Sequence, residues 1–245
     1  MRKILIAALA ALTALAVTAV SSAQTEQPAA GADLSVTVSP SNAGTKAKPK
    51  PVKVSLTLKN EDSSQTADRI EIMMPKQIKA STNGIKKCSA AKLEAQGKGA
   101  CPKASKIGNG SADAIAGVNT GAPAELKFNI TAFVIGDNRV GFYLEQQGGD
   151  IRVLSKGKFS KSGKRTKLDI GIPALAREFP PGTFNGLVGL ETDLYKKVGS
   201  KSLFKSVGCP STRELPFSLT IGFMPNPNPP IEEEVTATDG ANCTK

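Results

Sequence analysis

The chain has no histidine and no tryptophan among its 245 residues. Without imidazole it has no Ser/His or Cys/His nucleophile pair, no His-ligated metal site and no ordinary general base near neutral pH. Aromatic residues make up only 4% of the sequence, which disfavours glycosidases and carbohydrate-binding modules because sugar sites tend to use aromatic platforms. We therefore predict no catalytic residue, no metal ligand and no cofactor, and expect a protein that is not an enzyme.

The amino terminus has the parts of a secretory signal peptide. Arg2 and Lys3 precede an apolar run from Ile4 to Val20, and small residues follow up to Ala23. This pattern predicts cleavage near Ala23 and a bacterial protein that is secreted or associated with the cell envelope. No second long apolar run exists in the sequence, so no transmembrane segment is predicted after the signal peptide is removed.

The chain after residue 23 remains basic, because cleavage removes two of the 32 Lys and Arg residues and none of the 21 Asp and Glu residues. Residues 24–32 show no periodicity and are expected to be a flexible lead-in. Residues 33–245 are long enough for one large β-sandwich domain, which is the arrangement we predict. A division into two subdomains within residues 115–123 is the alternative. The oligomeric state cannot be predicted.

Segments in which every second residue is apolar recur along the chain, and this period of two is typical of half-buried β-strands. They occupy residues 34–38, 52–58, 70–74, 126–134, 140–144, 153–172, 188–194, 215–223 and 235–238. A Gly-Asp-Asn turn at 136–138 predicts one β-hairpin, and a turn near Ser162 and Gly163 predicts a second. Short strands at this spacing favour an all-β fold, an antiparallel β-sandwich or a jelly roll.

One short helix is predicted between Ser89 and Gln96, where Ser89 suits the N-cap and Gly97 the C-terminal end. This helix lies between the first two of the four cysteines. Four cysteines in an exported protein favour two disulfides, and proximity in the sequence favours Cys88 with Cys101 and Cys209 with Cys243. The alternative, a metal or redox site, lacks the close paired spacings and the Cys-x-x-Cys motif that such sites use.

The second hairpin carries the densest positive charge in the sequence. Its basic residues that we predict as a binding surface are Lys156, Lys158, Lys161, Lys164, Arg165 and Lys167. Such a surface attracts anionic polymers. Cell-envelope polymers are the partners we expect, whereas specific nucleic-acid binding is disfavoured by the scarcity of aromatic stacking platforms. Alternatively, these lysines only keep the sheet soluble and discourage edge pairing.

Two other classes of function stay open. A carrier of a lipid or another apolar ligand holds it between β-sheets. An enzyme with Ser/Lys chemistry needs one of the Ser-x-x-Lys spellings at 89–92, 155–158 or 202–205 to bring its two side chains together. The further motifs of penicillin-binding enzymes, Ser-Asp-Asn and Lys-Thr-Gly, are absent from the sequence.

Several short motifs resemble those of a loosely defined set of secreted, uncharacterised β-rich proteins from soil actinobacteria. They are Cys88, Cys101-Pro102, Ser105, Ile107-Gly108, Gly110, Ala112, Ile172-Pro173, Cys209-Pro210, Leu215-Pro216-Phe217 and Gly240 to Cys243. The resemblance covers most of the chain after the signal peptide. It implies export, disulfides and a β fold, and it implies no catalytic residue.

Overall fold

The computed structural model describes residues 31–42, 44–225 and 234–244. The predicted signal peptide, most of the predicted lead-in and the proline-rich stretch 226–230 lie outside the described residues. The first described strand begins at Ala32, within the predicted lead-in. No helix among the described residues is long and apolar enough to cross a membrane.

The described chain is built almost wholly from β-strands. Their bounds are β1 (Ala32–Ser39), β2 (Lys50–Asn60), β3 (Ala67–Met74), β4 (Ile78–Ala80), β5 (Lys106–Ala116), β6 (Ala124–Gly136), β7 (Arg139–Gln146), β8 (Arg152–Ser162), β9 (Arg165–Gly171), β10 (Asn185–Leu194), β11 (Lys197–Val198), β12 (Lys201–Ser202), β13 (Phe204–Ser206), β14 (Glu214–Phe223) and β15 (Glu234–Asn242). The predicted all-β, antiparallel class is confirmed.

Within the described residues, all strands except β11 and β12 belong to one sheet with antiparallel ladders. Its order is β15-β14-β3-β9-β8-β7-β6-β5-β10-β2-β13-β4, and β1 also pairs with β2. The sheet folds over on itself and brings β1 against β15. At this closure the amide of Val36 in β1 donates a 2.6 Å hydrogen bond to Asp239 Oδ2 in β15. The rings of Phe159 and Phe204, on strands far apart in this order, meet edge to face at 6.0 Å. The inner face thus forms one continuous core, as in a β-sandwich.

Both predicted hairpins are present. Strands β6 and β7 meet at the turn 136–139, where Asn138 has a φ of 53°, and β8 and β9 meet at Gly163 with a φ of 58°. Residues 117–123, where the sequence allows a boundary between subdomains, form the loop between β5 and β6, which pair with each other along their length. The sequence pattern did not predict β5, because the inward positions after Ile107 are occupied by Gly110, Ala112 and Ala114 rather than by large apolar residues.

The predicted helix is α1 (Ala90–Gln96), and its ends are as expected. Ser89 Oγ accepts a hydrogen bond from the amide of Lys92, and Gly97 ends the helix with a φ of 74°. Leu93 on this helix is fully buried against the outer face of β6, β7 and β8, where it packs with Phe133 and Tyr143. A second helix, α2 (Ala174–Arg177), is a single turn that the sequence pattern missed.

The two disulfides join the cysteines that the sequence paired. Cys88 bonds to Cys101 across 13 residues, and Cys209 bonds to Cys243 across 34. The first closes the loop that carries α1 and holds this helix on the outer face of the sheet. The second ties the end of β15 to the segment that precedes β14.

Candidate functional site

An apolar cavity lies inside the fold. Its volume is about 110 Å³, and no charged residue lines it among the described residues. The wall is formed by residues of β3, β5, β6, β7, β8, β9 and β10, by Ile172 just after β9 and by Ala176 of α2. The polar residues in this wall are Ser155, Asn185 and Thr192. A space of this chemistry suits a neutral, largely apolar molecule.

Small residues create this space. Ala112 and Ala114 of β5 and Ala67 of β3 line the cavity at positions where neighbouring strands present larger side chains. In the sheet, Ala112 lies between Phe128 of β6 and Leu190 of β10. Because alanine fills much less volume than those neighbours, a gap remains above β5 that the surrounding leucine and phenylalanine side chains do not close.

A β-bulge in β10 completes the apolar wall. The register with β5 shifts between Leu187 and Gly189, so that Leu187 and Leu190 both line the cavity although they are three residues apart. In a regular strand, residues three apart point to opposite faces. The period-two pattern from Val188 to Leu194 placed Leu190 inward but could not reveal that Leu187 joins it.

The cavity is accessible from the end of the fold that carries α2. Leu126, Leu144, Ile172 and Leu187 face inward yet are only half-buried, and all four lie near the ends of their strands on this side. Helix α2 lies over the same end, where Ala176 lines the cavity. The side chains of Leu175 and Phe179, on α2 and just after it, are 45% and 41% exposed. Because Ala176 of α2 lines this end of the cavity, we call α2 the cover of the cavity.

Asn185 connects the cover to the cavity wall. Its Nδ2 donates a 3.2 Å hydrogen bond to the carbonyl oxygen of Ala176 in α2. Only an amide N–H can make this bond to a carbonyl, so the orientation of the Asn185 amide is determined. Its Oδ1 is then left buried without a hydrogen-bond partner among the described residues. The whole residue is only 7% exposed.

The predicted basic residues of the β8–β9 hairpin differ in their surroundings, because some are paired with carboxylates and others are not. Lys156 Nζ lies 2.7 Å from Glu94 Oε1 of α1, and Lys167 Nζ lies 2.8 Å from Glu71 Oε2 of β3. The hydrogen bond to the Glu71 carboxylate raises the pKa of Lys167 above its ordinary value. Lys158 faces Asp169 across the two strands. Lys156 and Lys167 are therefore paired with carboxylates, whereas Lys158 lies between Asp169 and Arg139 of the two neighbouring strands.

Arg165 is also engaged within the fold. Its Nε donates to the carbonyl oxygen of Met74 at 3.1 Å, and its Nη2 donates to those of Met73 and Pro216 at 3.0 and 3.3 Å. The guanidinium thus joins the start of β9 to β3 and β14. Its predicted role in binding stays a prediction, and these bonds add a structural role that the sequence did not reveal.

A basic depression lies at the tip of the same hairpin, with a volume of about 1120 Å³. The sequence predicted three of its cations, Lys161, Lys164 and Arg165, and missed three others, Lys46, Lys76 and Lys79. The missed lysines precede β2 or lie in and before β4, so only the folding of the sheet brings them to the hairpin. No Asp or Glu among the described residues lines this depression.

The apolar cavity and the basic depression lie at opposite ends of the same strands. The cavity is lined by Val153 of β8 and Ile170 of β9, whereas the depression is lined by Lys161 and Arg165 at the turn that joins these strands. The two sites can therefore be altered independently by substitution.

The serines of the three Ser-x-x-Lys motifs have other contacts in the structure. Ser89 caps α1, and Ser202 Oγ donates to the carbonyl oxygen of Phe204 at 2.9 Å. Ser155 lines the cavity while Lys158 is exposed on the opposite face of β8. Among the residues that the structure describes, no three His, Cys, Asp or Glu side chains form a cluster that could hold a metal ion.

Comparisons of this chain with protein-family models, with curated proteins and with solved structures find no match. The resemblance to secreted actinobacterial proteins stays a prediction. Any proposal about function therefore depends on the geometry described above.

Proposed function

We propose that the protein is a non-enzymatic, secreted or envelope-associated β-sandwich that binds a small apolar ligand in the apolar cavity. The supporting observation is the void of about 110 Å³ with no charged residue in its described wall. Protein cores normally contain few voids larger than a water molecule. An engineered apolar cavity of about 150 Å³ stays dry and binds benzene, which sets the scale of molecule that fits here.

The energetics favour occupation of this void. An empty cavity in a core destabilises a protein by about 24 cal/mol per Å³, so a void of this size corresponds to about 2.6 kcal/mol. A ligand that fills it recovers part of this free energy through contacts with the wall. The half-buried residues beside α2 supply the route by which such a ligand enters.

Export belongs to the same proposal. The signal-peptide pattern at residues 1–23 supports it. The disulfides Cys88–Cys101 and Cys209–Cys243 also support it, because such bonds persist in oxidising compartments outside the cytoplasm.

The test uses toluene as the probe and the mature chain purified without detergent. Ligand-detected NMR is expected to show saturable binding to the wild-type protein and none to Ala112→Leu, in which the added carbons occupy the void. Native mass spectrometry of the freshly purified protein is expected to show a bound small molecule in a fraction of the population. Absence of toluene binding to the folded wild-type protein contradicts the proposal.

A second candidate function has its own supporting observation, which is the basic depression with six cations and no described carboxylate in its wall. We propose that this depression binds an anionic envelope polymer. Positive charge concentrated in a concave surface attracts polyanions by counterion release, and the attraction weakens as salt rises. Localisation at the cell envelope follows if this second proposal holds.

Inorganic polyphosphate is the probe for the depression. Reversal of Lys79, Lys161 and Lys164 to Glu is expected to weaken binding by more than tenfold at low salt and to flatten its salt dependence. A matched control reverses Lys59, Lys127 and Lys197, which are exposed elsewhere and give the same change in net charge. Equal losses in both triple variants contradict a specific site and indicate attraction by net charge alone.

A further inference from the structure

Asn185 lines the apolar cavity and carries a buried hydrogen-bond acceptor, Oδ1, that has no partner among the described residues. Asn60 Oδ1, Gln65 Oε1 and Arg177 Nε are also buried without a hydrogen-bond partner, but among these four residues only Asn185 lines the cavity. Leaving a buried acceptor without a donor is unfavourable by about 1–3 kcal/mol. Native proteins satisfy most such groups, so an unpartnered acceptor in a residue that lines the cavity points to a hydrogen-bond donor bound there.

That partner must donate a hydrogen bond, because a carbonyl-type oxygen can only accept. It must also be neutral, since the described wall contains no charged residue to pair with an ion and burial of an unpaired charge is strongly unfavourable. The position of Asn185 agrees with this requirement. Asn185 lies at the α2 end of the cavity, next to Ala176. The polar group of a bound molecule therefore faces the cover, and its apolar part faces the core.

We infer that the ligand is a neutral alcohol or phenol, whose hydroxyl donates a hydrogen bond to Asn185 Oδ1 while its apolar part fills the cavity. This inference rests on the proposed function of the cavity. It adds a specificity-determining residue and a chemical class of ligand.

Phenol and toluene are suitable probes because they have nearly the same shape and only phenol donates a hydrogen bond. Their different affinities for water cancel when the phenol-to-toluene ratio of dissociation constants is compared between protein variants. In Asn185→Leu, which keeps a side chain of similar size, we expect phenol to lose about tenfold in affinity relative to toluene.

Two variants test whether the acceptor oxygen of Asn185 recognises the hydroxyl. Asn185→Asp, studied at a pH that keeps its buried carboxyl protonated, retains an acceptor oxygen and an O–H that can donate to Ala176, so the wild-type phenol-to-toluene ratio is expected to persist. Thr192→Val removes another polar group of the wall, whose Oγ1 donates to the carbonyl oxygen of Asn109 at 3.4 Å, and should also leave the ratio unchanged. The toluene affinity of each variant reports whether the cavity is intact.

The outcomes distinguish this inference from the proposed function. If toluene binds the wild-type protein but the ratio is the same in Asn185→Leu, recognition by Asn185 is wrong and the apolar binding function stands. If Asn185→Asp loses as much as Asn185→Leu, an acceptor oxygen at this position does not explain the effect and the inference is wrong. If neither probe binds the folded wild-type protein, both proposals fail.

Discussion

The substitution Ala112→Leu is predicted to stabilise the protein and to abolish ligand binding at the same time. Ala112 is 6% exposed and lines the cavity, so the larger side chain has an apolar space to enter. Three added carbons contribute about 2.4 kcal/mol through burial, and ordering the leucine side chain opposes this by about 0.5–1 kcal/mol. The expected net gain in the free energy of unfolding is about 1.5 kcal/mol.

Thermal unfolding measures this gain directly. For a chain of this size, 1 kcal/mol shifts Tm by about 2–4 °C, so Ala112→Leu should raise Tm by about 4 °C. Toluene should raise the Tm of the wild-type protein, because it binds only the folded state, and should not change that of the variant. Asp113→Leu is the matched control, since it adds leucine at the next, exposed position of β5 and should change neither property appreciably.

The result that refutes this reasoning is equally specific. If the cavity is already closed by motion of the core, the leucine overpacks it and destabilises the protein by about 1–3 kcal/mol. A lower Tm for Ala112→Leu, together with unchanged toluene binding, therefore contradicts both the void and its proposed role.

Three further predictions concern the framework. Replacement of Cys88 and Cys101 together by Ala should lower the free energy of unfolding by about 3 kcal/mol in the chain-entropy model, as denaturant titration can measure, and peptide mapping without reductant should recover both disulfides. Gly110→Ala should destabilise by about 1–3 kcal/mol, because a Cβ there lies 2.0 Å from the carbonyl oxygen of Glu191, whereas Gly99→Ala, with no neighbour within 4 Å, should be neutral by the same titration. The hydrogen bond from Ser55 and the pairing with Lys53 lower the pKa of Asp193. The stability that this carboxylate contributes should therefore be retained above about pH 4 and lost as the pH falls further. Circular dichroism should show a less steep loss of folded protein in Asp193→Asn, because this variant lacks the titrating carboxyl.

Local patterns accounted for much of the fold. Alternating apolar residues predicted the strands with large inward side chains, and the turn residues at Asn138 and Gly163 predicted both hairpins. The caps Ser89 and Gly97 predicted α1, because each acts on backbone groups only a few residues away. Proximity of the cysteines predicted both disulfides for the same reason. These features depend on neighbours in the sequence, so one sequence is enough to infer them.

The candidate site was less predictable, because it depends on residues that share no local pattern. The basic residues of the hairpin were visible in the sequence, but their ion pairs with Glu71 and Glu94 were not. Lys46, Lys76 and Lys79 lie far from the hairpin in the sequence and meet it only after the sheet folds. The bulge that turns Leu187 inward and the alanines of β5 break or weaken the period-two pattern, which is why the cavity was not foreseen.

The sequence by itself determined the absence of imidazole chemistry, the basic charge, the all-β class and the pairing of the cysteines. Each of these follows from composition or from interactions between residues close along the chain. Only the tertiary structure decided which lysines keep an unopposed charge and where the core leaves space. Both are properties of strands brought together from distant parts of the sequence: charges are neutralised by whichever carboxylates the sheet places beside them, and a void exists only when small side chains on several strands face one another.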